Sequence, residues 1–353
     1  MFNRLFTYQF LRIMTLKSFK ISFVILLLAP FFAFSQSLKF TFQQPKMGSP
    51  FVITVFTDDS LALLPIIEKA YSRVDTLNQI FSDYLDSSEI NTVCQKAHIW
   101  QPISKDLCHL LKISADAYKI TNGCFDITVG QVVKVWRKAR KAKQMPNDAE
   151  LQAALRKTGF KKIEIDDKSS QIRFNTEGVL LDFGGIVKGF AAQEVVDILT
   201  KNGFPYCLVD AGGDLVARQK PRFGQAKSEG WKIGISLPNS DKKLMIQLLS
   251  IENQSVATSG DTYQFFEHNG KRYSHIVNPK TGLGVTHQRN VTVIAPDGTT
   301  ADWLATACSI LPIRKALRLI KKYPHTALLI LENKKGKIKS VQSPQFAKYF
   351  SIN

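Results

Sequence analysis

Asp302 and Thr306 stand four residues apart near the start of a predicted helix. That spacing places two side chains on one face of a helix, so a carboxylate and a hydroxyl could bind one hard cation together. Mg²⁺ is usually held by few protein oxygens and completed by water and substrate phosphates, which suits such a pair. An ordinary structural role is open as well, because Thr300 is a good helix N-cap and Asp302 suits the positive end of the helix dipole.

A glycine-rich turn at residues 180–189 (LLDFGGIVKG) joins a short apolar segment to a predicted helix. Glycines at such a turn let a ligand approach bare backbone, and the helix N-terminus offers N–H groups to an anion. Lys188 lies in the first helical turn, where a cation opposes the dipole, so an anionic ligand nearby would explain its presence. A tight turn with a solvated lysine is the alternative.

Two further segments carry acids, hydroxyls and a histidine. Residues 208–214 (LVDAGGD) repeat the strand-Asp-x-Gly-Gly pattern, which predicts neighbouring strands whose turns meet at one sheet edge. Residues 256–261 (VATSGD) offer two hydroxyls and an acid, and His275 follows. Each of these is an ordinary turn or a lone histidine when taken alone.

The elements that must position these residues form a mixed α and β pattern without a sustained repeat. We expect strands at residues 51–56, 163–165, 180–181, 208–209, 231–235 and 291–294. We expect helices at residues 63–80, 105–121, 148–157, 187–201, 301–311 and 313–322. The sequence contains no G-x-G-x-x-G, Walker A, H-E-x-x-H or G-x-S-x-G motif, which argues against the enzyme classes that use them.

The N-terminus has the features of a cleavable secretory signal covering residues 1–35. The apolar run 21–34 follows Lys17 and Lys20, is short for a bilayer span, and ends at Ala33-Phe34-Ser35. An uncleaved anchor is the alternative. We therefore expect an exported protein, periplasmic or at the outer face of the inner membrane. Residues 1–35 hold four basic and no acidic residues, so the remainder carries a formal charge of +14 against +18 for the whole chain.

The five cysteines are odd in number and show no C-x-x-C spacing, which disfavours a zinc cluster and leaves at least one free thiol. One disulfide stays open. The basic residues do not alternate with aromatics as in a nucleic-acid stacking surface, and many lie within residues 314–339. We expect no nucleic-acid partner, and a basic surface that docks an acidic acceptor or the membrane face.

Taken in chain order, the motifs resemble those of the ApbE family of FAD:protein FMN transferases. Each motif is weak, but the ordered set is specific and covers about residues 47–331. The matching motifs are Met47-Gly48, Phe81-Ser82-x-Tyr84 with Asp86-Ser87-x-Glu89, Gly123-x-Phe125-Asp126, Asp182-x-Gly184-Gly185-x-x-Lys188-Gly189, Asp210-x-Gly212-Gly213-Asp214, Thr258-Ser259-Gly260-Asp261, His275-Ile276, Pro279-x-Thr281-Gly282, and Ala301-Asp302 with Thr306.

The resemblance implies an α+β fold of two closely associated α/β parts, with mixed or antiparallel sheets and a flavin-binding cleft between them, over residues 36–353. It implies Mg²⁺-dependent transfer of FMN from FAD to a threonine hydroxyl of an acceptor flavoprotein, with release of AMP. Motif matching makes the backbone carbonyl of Gly185, Asp302 and Thr306 the expected Mg²⁺ ligands. The expected FAD contacts are Met47, Ser82, Tyr84, Asp126, Asp182, Lys188 and Val277, with Tyr84 stacking on a ring.

His275 is the expected group that accepts or relays the threonine proton, since an imidazole titrates near neutral pH. Asn278 stands where the family usually has Asp, and the lost carboxylate removes a candidate base or metal partner. Two alternatives stay open, one because the acceptor is a separate protein and the other because Asn278 could disable the site. One is an FAD pyrophosphatase in which water replaces threonine and FMN and AMP are released, and the other is an exported FAD-binding protein without turnover.

Overall fold

The computed structural model describes residues 37–220, 230–238, 244–260, 264–334 and 336–350, so the predicted signal lies outside the described residues. The strands are β1 (Leu38–Lys46), β2 (Ser49–Thr57), β3 (Gln101–Pro102), β4 (Ile163–Asp166), β5 (Gln171–Phe174), β6 (Cys207–Ala211), β7 (Leu215–Ala217), β8 (Trp231–Pro238), β9 (Leu244–Ile251), β10 (Gln254–Gly260), β11 (Phe265–His268), β12 (Lys271–Ser274), β13 (Gln288–Ala295), β14 (Ala327–Lys334) and β15 (Lys337–Gln342). The helices are α1 (Ser60–Phe81), α2 (Glu89–Val93), α3 (Lys105–Ile120), α4 (Gly130–Ala142), α5 (Asp148–Arg156), α6 (Val187–Lys201), α7 (Gly298–Ile310) and α8 (Ile313–Ile320).

Short polar side chains set where several of these helices begin. Ser104 accepts a hydrogen bond from the Leu107 N–H at the start of α3, and Asn147 caps α5 in the same way. In α7 the cap is Asp297, which accepts from the Thr300 N–H at 2.8 Å. Thr300 is therefore inside the helix and not its N-cap, so the structural role considered for it from the sequence was wrong.

The largest sheet has eight strands in the order β1-β2-β6-β7-β10-β13-β14-β15, and each of its pairings is antiparallel. Alternating residues of a strand face opposite sides, so this sheet has two apolar faces. In β14, Leu328 and Ile330 point toward the core beneath the helices, whereas Leu329 and Leu331 point toward a second core. Helices α1, α6, α7 and α8 cover the first face, and the two-stranded β8–β9 sheet covers the second.

A smaller α/β part lies beside the large sheet. It consists of the three-stranded antiparallel sheet β3-β5-β4 together with α3, α4 and α5. Trp136 of α4 is 1% exposed and packs against Phe266 and Tyr273 of the β11–β12 hairpin, which joins this part to the rest of the chain. The expected α+β class, with antiparallel sheets and two closely associated parts, is confirmed.

Most predicted elements are present, and three expectations changed. Each predicted helix coincides with or lies mainly within an observed one, and the range 187–201 matches α6. The predicted strand at 180–181 was wrong, because Leu180 makes only an isolated parallel bridge to Val129. Among the described elements, helices α2 and α4 were not predicted, and neither were strands β1, β3, β5, β7, β9, β10, β11, β12, β14 and β15. All five cysteines are free, so the disulfide left open from the sequence does not form. In the described ranges, no helix has the length and hydrophobicity to cross a membrane.

Candidate functional site

A cavity of about 680 Å³ lies where the two parts of the fold meet, which is a common place and size for a ligand pocket. It is lined by the turn before α6, one face of α4, one face of α7 and the loop after β12. Nine of the eleven residues expected at the site line it, namely Tyr84, Asp126, Asp182, Gly185, Lys188, Val277, His275, Asp302 and Thr306. Met47 and Ser82 do not.

The three expected metal ligands come from the turn before α6, which holds Gly185, and from α7, which holds Asp302 and Thr306 and crosses α6 closely. A Cβ placed on Gly189 of α6 would stand 2.1 Å from the Gly298 carbonyl oxygen of α7, so only glycine permits this crossing. The same approach brings Gly185 against Thr306, where a Cβ would stand 3.0 Å from the hydroxyl oxygen. The Gly189 N–H donates to Asp302 Oδ2 at 3.0 Å. The Gly185 backbone, the Thr306 hydroxyl and the Asp302 carboxylate therefore belong to one closely packed part of the cavity wall.

Burial dominates the electrostatics of this part of the cavity wall. Asp302 is 6% exposed, and burial raises its pKa to about 7 against the opposing influence of the Gly189 N–H and Lys188. Burial and the charge of Asp302 likewise raise the pKa of Asp214 well above its ordinary value, and Lys188 opposes that shift. A divalent cation beside Asp302 would favour its ionised form.

The donor set suits Mg²⁺ rather than a transition metal. In the described part of the chain, no three His, Cys, Asp or Glu side chains form a cluster that could hold a metal. One carboxylate, one hydroxyl and one carbonyl are hard oxygen donors, and they leave coordination positions for water and phosphate, as Mg²⁺ sites usually do. The residues present therefore fit a magnesium ion that is completed by a phosphorylated ligand.

The two glycine-rich turns meet at the cavity, although not in the predicted way. Gly185 and Gly212 both line it, but only the second turn follows a strand of the large sheet, namely β6. A Cβ on Gly212 would stand 2.5 Å from Ser49 Oγ and 3.5 Å from Lys188 Nζ. The turns are thus brought together by α6 and the β1–β2 hairpin, and not by neighbouring strands.

Met47 and Ser82 shape the surroundings of the cavity. Met47 and Gly48 form the turn of the β1–β2 hairpin with positive φ angles of 48° and 74°, which puts Ser49 against Gly212. Ser82 ends α1, and its hydroxyl accepts from the Tyr84 N–H at 3.3 Å. Neither side chain lines the cavity, so the expectation that both contact the ligand is not supported by this geometry.

Asp126 and Val277 are fixed within the cavity wall. Asp126 is 7% exposed and accepts from the Thr128 N–H at 2.9 Å and the Thr128 hydroxyl at 2.6 Å. Burial raises its pKa, although both Thr128 bonds oppose the shift. Val277 is buried among the aromatic residues around Trp136. Both residues are held by their own neighbours and need no ligand to be ordered.

His275 lies on the cavity wall in the loop after β12. Its Nδ1 is 3.1 Å from the carbonyl oxygen of Gln264, and a carbonyl can only accept, so Nδ1 carries the hydrogen. In the neutral ring Nε2 is then the basic nitrogen. Asn278 does not line the cavity, and its side chain accepts from the Lys280 N–H at 3.0 Å to close a turn. An aspartate could accept that bond equally well.

Sequence reasoning missed several residues of the wall. Val133, Arg137 and Arg140 of α4 line the cavity because residues three or four apart share one helix face. The helical spacing of these residues could have predicted a helix with one face toward the cavity, but the many basic residues of α4 made the pattern hard to recognise. Asp214 was noted only as part of a turn. A second cavity of about 500 Å³, lined by Thr286 to Gln288 and Glu332 to Lys334 with Gly336, contains none of the expected site residues.

Comparison with known proteins identifies the family of the chain. The chain is 28% identical over 302 residues to the FAD:protein FMN transferase of Haemophilus influenzae, covering 82% of this chain and 86% of that protein. It is 29% identical over 282 residues to the enzyme of the same name from Treponema pallidum, covering 76% and 78%. The structure matches the apo flavinyl transferase ApbE of Pseudomonas stutzeri with a TM-score of 0.79 at 24% identity, covering 90% of this chain and 98% of the other. The ApbE family profile matches residues 47–330, and the chain therefore belongs to the ApbE family.

Proposed function

We propose that this protein is an FAD:protein FMN transferase that moves FMN to a threonine hydroxyl of an acceptor flavoprotein and depends on Mg²⁺. In the reaction, the threonine oxygen forms a bond to the flavin-side phosphorus of FAD. The bond from that phosphorus to the oxygen of the AMP phosphate breaks, AMP leaves, and the threonine proton is transferred to a base. A single observation carries the proposal: family-matched residues from positions as distant as Tyr84 and Thr306 line one cavity.

The chain supplies a binding site for the charged diphosphate. The Gly185 carbonyl, Asp302 and Thr306 would hold Mg²⁺, which when bound would neutralise the diphosphate and polarise the phosphorus under attack. Lys188 adds a positive charge beside this part of the cavity wall, at the N-terminus of α6, where backbone N–H groups also favour an anion. Asp126, Asp182 and Tyr84 also line the cavity and are suited to hold the rings of the dinucleotide.

His275 is suited to take the proton of the incoming hydroxyl. The Gln264 carbonyl fixes the tautomer in which Nε2 is basic. A base of this kind is effective near neutral pH because its ordinary pKa lies close to the working pH. The carboxylate that Asn278 lacks is not required for this role, since position 278 serves a turn.

The test is incubation of the full chain with FAD, Mg²⁺ and an acceptor flavoprotein domain, read by mass spectrometry. Acceptor that gains the mass of one FMN while AMP accumulates is the expected result. Free FMN with AMP and unmodified acceptor would instead support the pyrophosphatase, and bound FAD without AMP would support a binding protein. An acceptor in which the target threonine is replaced by valine is the matched control.

We further propose that the protein is exported and works at the outer face of the inner membrane. The support is the N-terminal sequence and a basic surface, defined as Arg314, Lys315, Arg318, Lys321 and Lys322 on and after α8 with Lys337 and Lys339 on β15, all exposed. Lys339 pairs with Glu332, so it points to the same side of the sheet as Ile330 and α8. Glu332 is already bound by Arg289 and Lys334. Anionic lipid headgroups attract such a surface.

A further inference from the structure

Arg137 occupies a position in the cavity wall that joins three other side chains. Its guanidinium forms an ion pair with Asp83, lies 3.6 Å from Asp182 Oδ2, and stands 4.3 Å above the centre of the Tyr84 ring. The side chain of Arg137 is 28% exposed, and those of Asp83 and Asp182 are 17% and 12% exposed. The ion pairs of Arg137 with Asp83 and Asp182 are therefore partly shielded from water, and charge pairs are stronger where water is partly excluded.

The Tyr84 ring depends on another side chain to hold its orientation, because most of the ring is exposed. It is 75% exposed and lies in the turn after α1, where its backbone N–H is held by Ser82. A ring with that exposure can rotate freely unless something holds it. One face of the Tyr84 ring is covered by the planar guanidinium of Arg137. The ring is thereby held at the cavity with most of its surface open to another aromatic group.

Asp182 is held by the same arginine. Its Oδ1 accepts from the Gly184 N–H at 2.7 Å, and its Oδ2 faces Arg137. Burial and the neighbouring charge of Asp83 raise the pKa of Asp182, whereas the Gly184 N–H and Arg137 lower it. Arg137 therefore helps to keep a buried carboxylate charged at the wall of the cavity.

We propose that Arg137 is a positioning residue for the dinucleotide, which holds the Tyr84 ring as a stacking surface for an aromatic ring and fixes the Asp182 carboxylate beside it. This rests on the proposed function, since FAD supplies the aromatic ring. FAD offers two such rings, adenine and isoalloxazine, and either can stack on a tyrosine. Asp83 anchors the arginine from outside the cavity, because it pairs with Arg137 without lining the cavity itself.

The chain contains a matched control for this arrangement. Arg173 also pairs with a carboxylate, Glu164, at 2.5 Å and also lies over an aromatic ring, that of Trp100, at 4.8 Å. Its side chain is 34% exposed, similar to that of Arg137, but it does not line the cavity. Replacing either arginine removes an ion pair and a contact with an aromatic ring, but only the replacement of Arg137 should weaken the binding of FAD.

The experiment compares Arg137→Met, Arg137→Lys and Arg173→Met in the full chain by AMP release and by calorimetric titration with FAD. We expect Arg137→Met to raise KM and Kd for FAD about tenfold with kcat at saturating FAD nearly unchanged, and Arg137→Lys to lie between it and the wild type. Arg173→Met should lower the melting temperature by a similar amount without changing either constant. If Arg137→Met does not fold, Arg137→Lys alone carries the comparison.

Two further measurements complete the test: a double-mutant cycle between Arg137 and Tyr84, and separate titrations with AMP and with FMN. Tyr84→Ala in the Arg137→Met background should cost less FAD affinity than in the wild type, because the arginine acts through the ring. A loss of affinity for AMP in Arg137→Met places adenine on Tyr84, and a loss for FMN places the isoalloxazine there; both support the proposal. If the wild type binds FAD and both Arg137 variants bind it with the same affinity as the wild type, the proposal for Arg137 is overturned and the proposed function stands. Wild type that does not bind FAD overturns the proposed function as well.

Discussion

Gly185 and Thr306 lie so close that no side chain fits between them. A Cβ on Gly185 would stand 2.9 Å from Thr306 Cγ2 and 3.0 Å from Thr306 Oγ1, closer than such atoms normally approach. This contact sets the turn before α6 against one face of α7, and it places the Gly185 backbone beside a hydroxyl and the nearby Asp302. The metal site proposed here therefore depends on the absence of one methyl group.

Gly185→Ala should weaken the metal site without unfolding the protein. The added methyl must push Thr306 away, which separates two of the proposed Mg²⁺ ligands. We expect AMP release to require a higher Mg²⁺ concentration, with at least about a tenfold loss at limiting Mg²⁺, since each lost ligand weakens a site held by few protein groups. A Mg²⁺ titration of activity checks this, with the melting temperature as the control for folding. An unchanged Mg²⁺ dependence would show that Gly185 and Thr306 do not hold the ion.

Asp302→Asn should abolish Mg²⁺-dependent turnover and leave the fold intact. Asparagine keeps an oxygen that can accept from the Gly189 N–H, but it carries no charge for a cation. We expect AMP release to fall to background, while calorimetric titration still detects the binding of FAD. Asp302→Ala should lose the same activity and also lose stability, because the Gly189 N–H is then buried without an acceptor. Turnover by either variant comparable to the wild type would exclude Asp302 as a ligand.

The metal-free protein should lose stability as the pH rises toward neutrality. The pKa of Asp302 is raised from 3.8 to about 7 by burial, so the folded state favours the protonated acid more than the unfolded state does. The contribution of protonated Asp302 to the free energy of unfolding is complete below the ordinary pKa of an aspartate. It is lost as the pH rises through about 7, the pKa of Asp302 in the folded protein. Melting curves in chelator should show this decline for the wild type and a smaller one for Asp302→Asn, and added Mg²⁺ should reduce it. Parallel pH profiles for the two proteins would contradict it.

His275→Gln should lower the rate of transfer more than the affinity for FAD. Glutamine can still donate to the Gln264 carbonyl, but it cannot take a proton. General base catalysis typically contributes about a hundredfold or more, so we expect a loss of that order in kcat with KM for FAD little changed. Single-turnover kinetics with excess enzyme separate the two constants. A rise in KM at constant kcat would make His275 a binding residue.

Asn278→Asp should change little, although it restores the residue usual in the family. The side chain of Asn278 closes a turn by accepting from the Lys280 N–H and does not line the cavity. Aspartate can accept the same bond, so we expect kcat to change by less than about twofold, as for surface substitutions in general. The mass-spectrometric transfer assay measures it. A large gain in rate would show that the missing carboxylate acts in the reaction.

The fold and the site were predictable to different degrees. Helix α6 matched its predicted range because its apolar spacing and flanking glycines are local signals. Helix α4 was missed since its sequence carries five lysines and arginines, which mask the buried spacing of Val132, Trp136 and Ala139. Leu180 and Leu181 are apolar enough for a strand, yet the chain turns at once toward α6. Local sequence cannot reveal such choices, which depend on packing.

Among the residues that line the cavity, most of those with a distinctive motif were predicted from the sequence, and those defined only by contacts were not. Asp302 and Thr306 could be paired from their spacing alone. Arg137 could not, because its importance lies in contacts with Asp83 and Tyr84 that are more than fifty positions away. Met47 differs from both, since its motif predicted a ligand contact and the structure places it in a hairpin turn outside the cavity lining, so that contact stays a prediction.

The basic surface should bind anionic membranes. A chain that lacks residues 1–35 is mixed with vesicles containing phosphatidylglycerol and sedimented, so that the N-terminal apolar segment cannot contribute. Each basic residue near an anionic surface contributes about 1 kcal/mol, so replacing Arg314, Lys315 and Arg318 by Glu should reduce binding by at least about a hundredfold. Replacing the exposed Lys161, Lys168 and Lys201 by Glu changes the net charge equally and should have a much smaller effect. Because the attraction is electrostatic, binding should also be lost at high salt. Equal binding by the two triple variants would show that net charge, and not the surface around α8, governs the association.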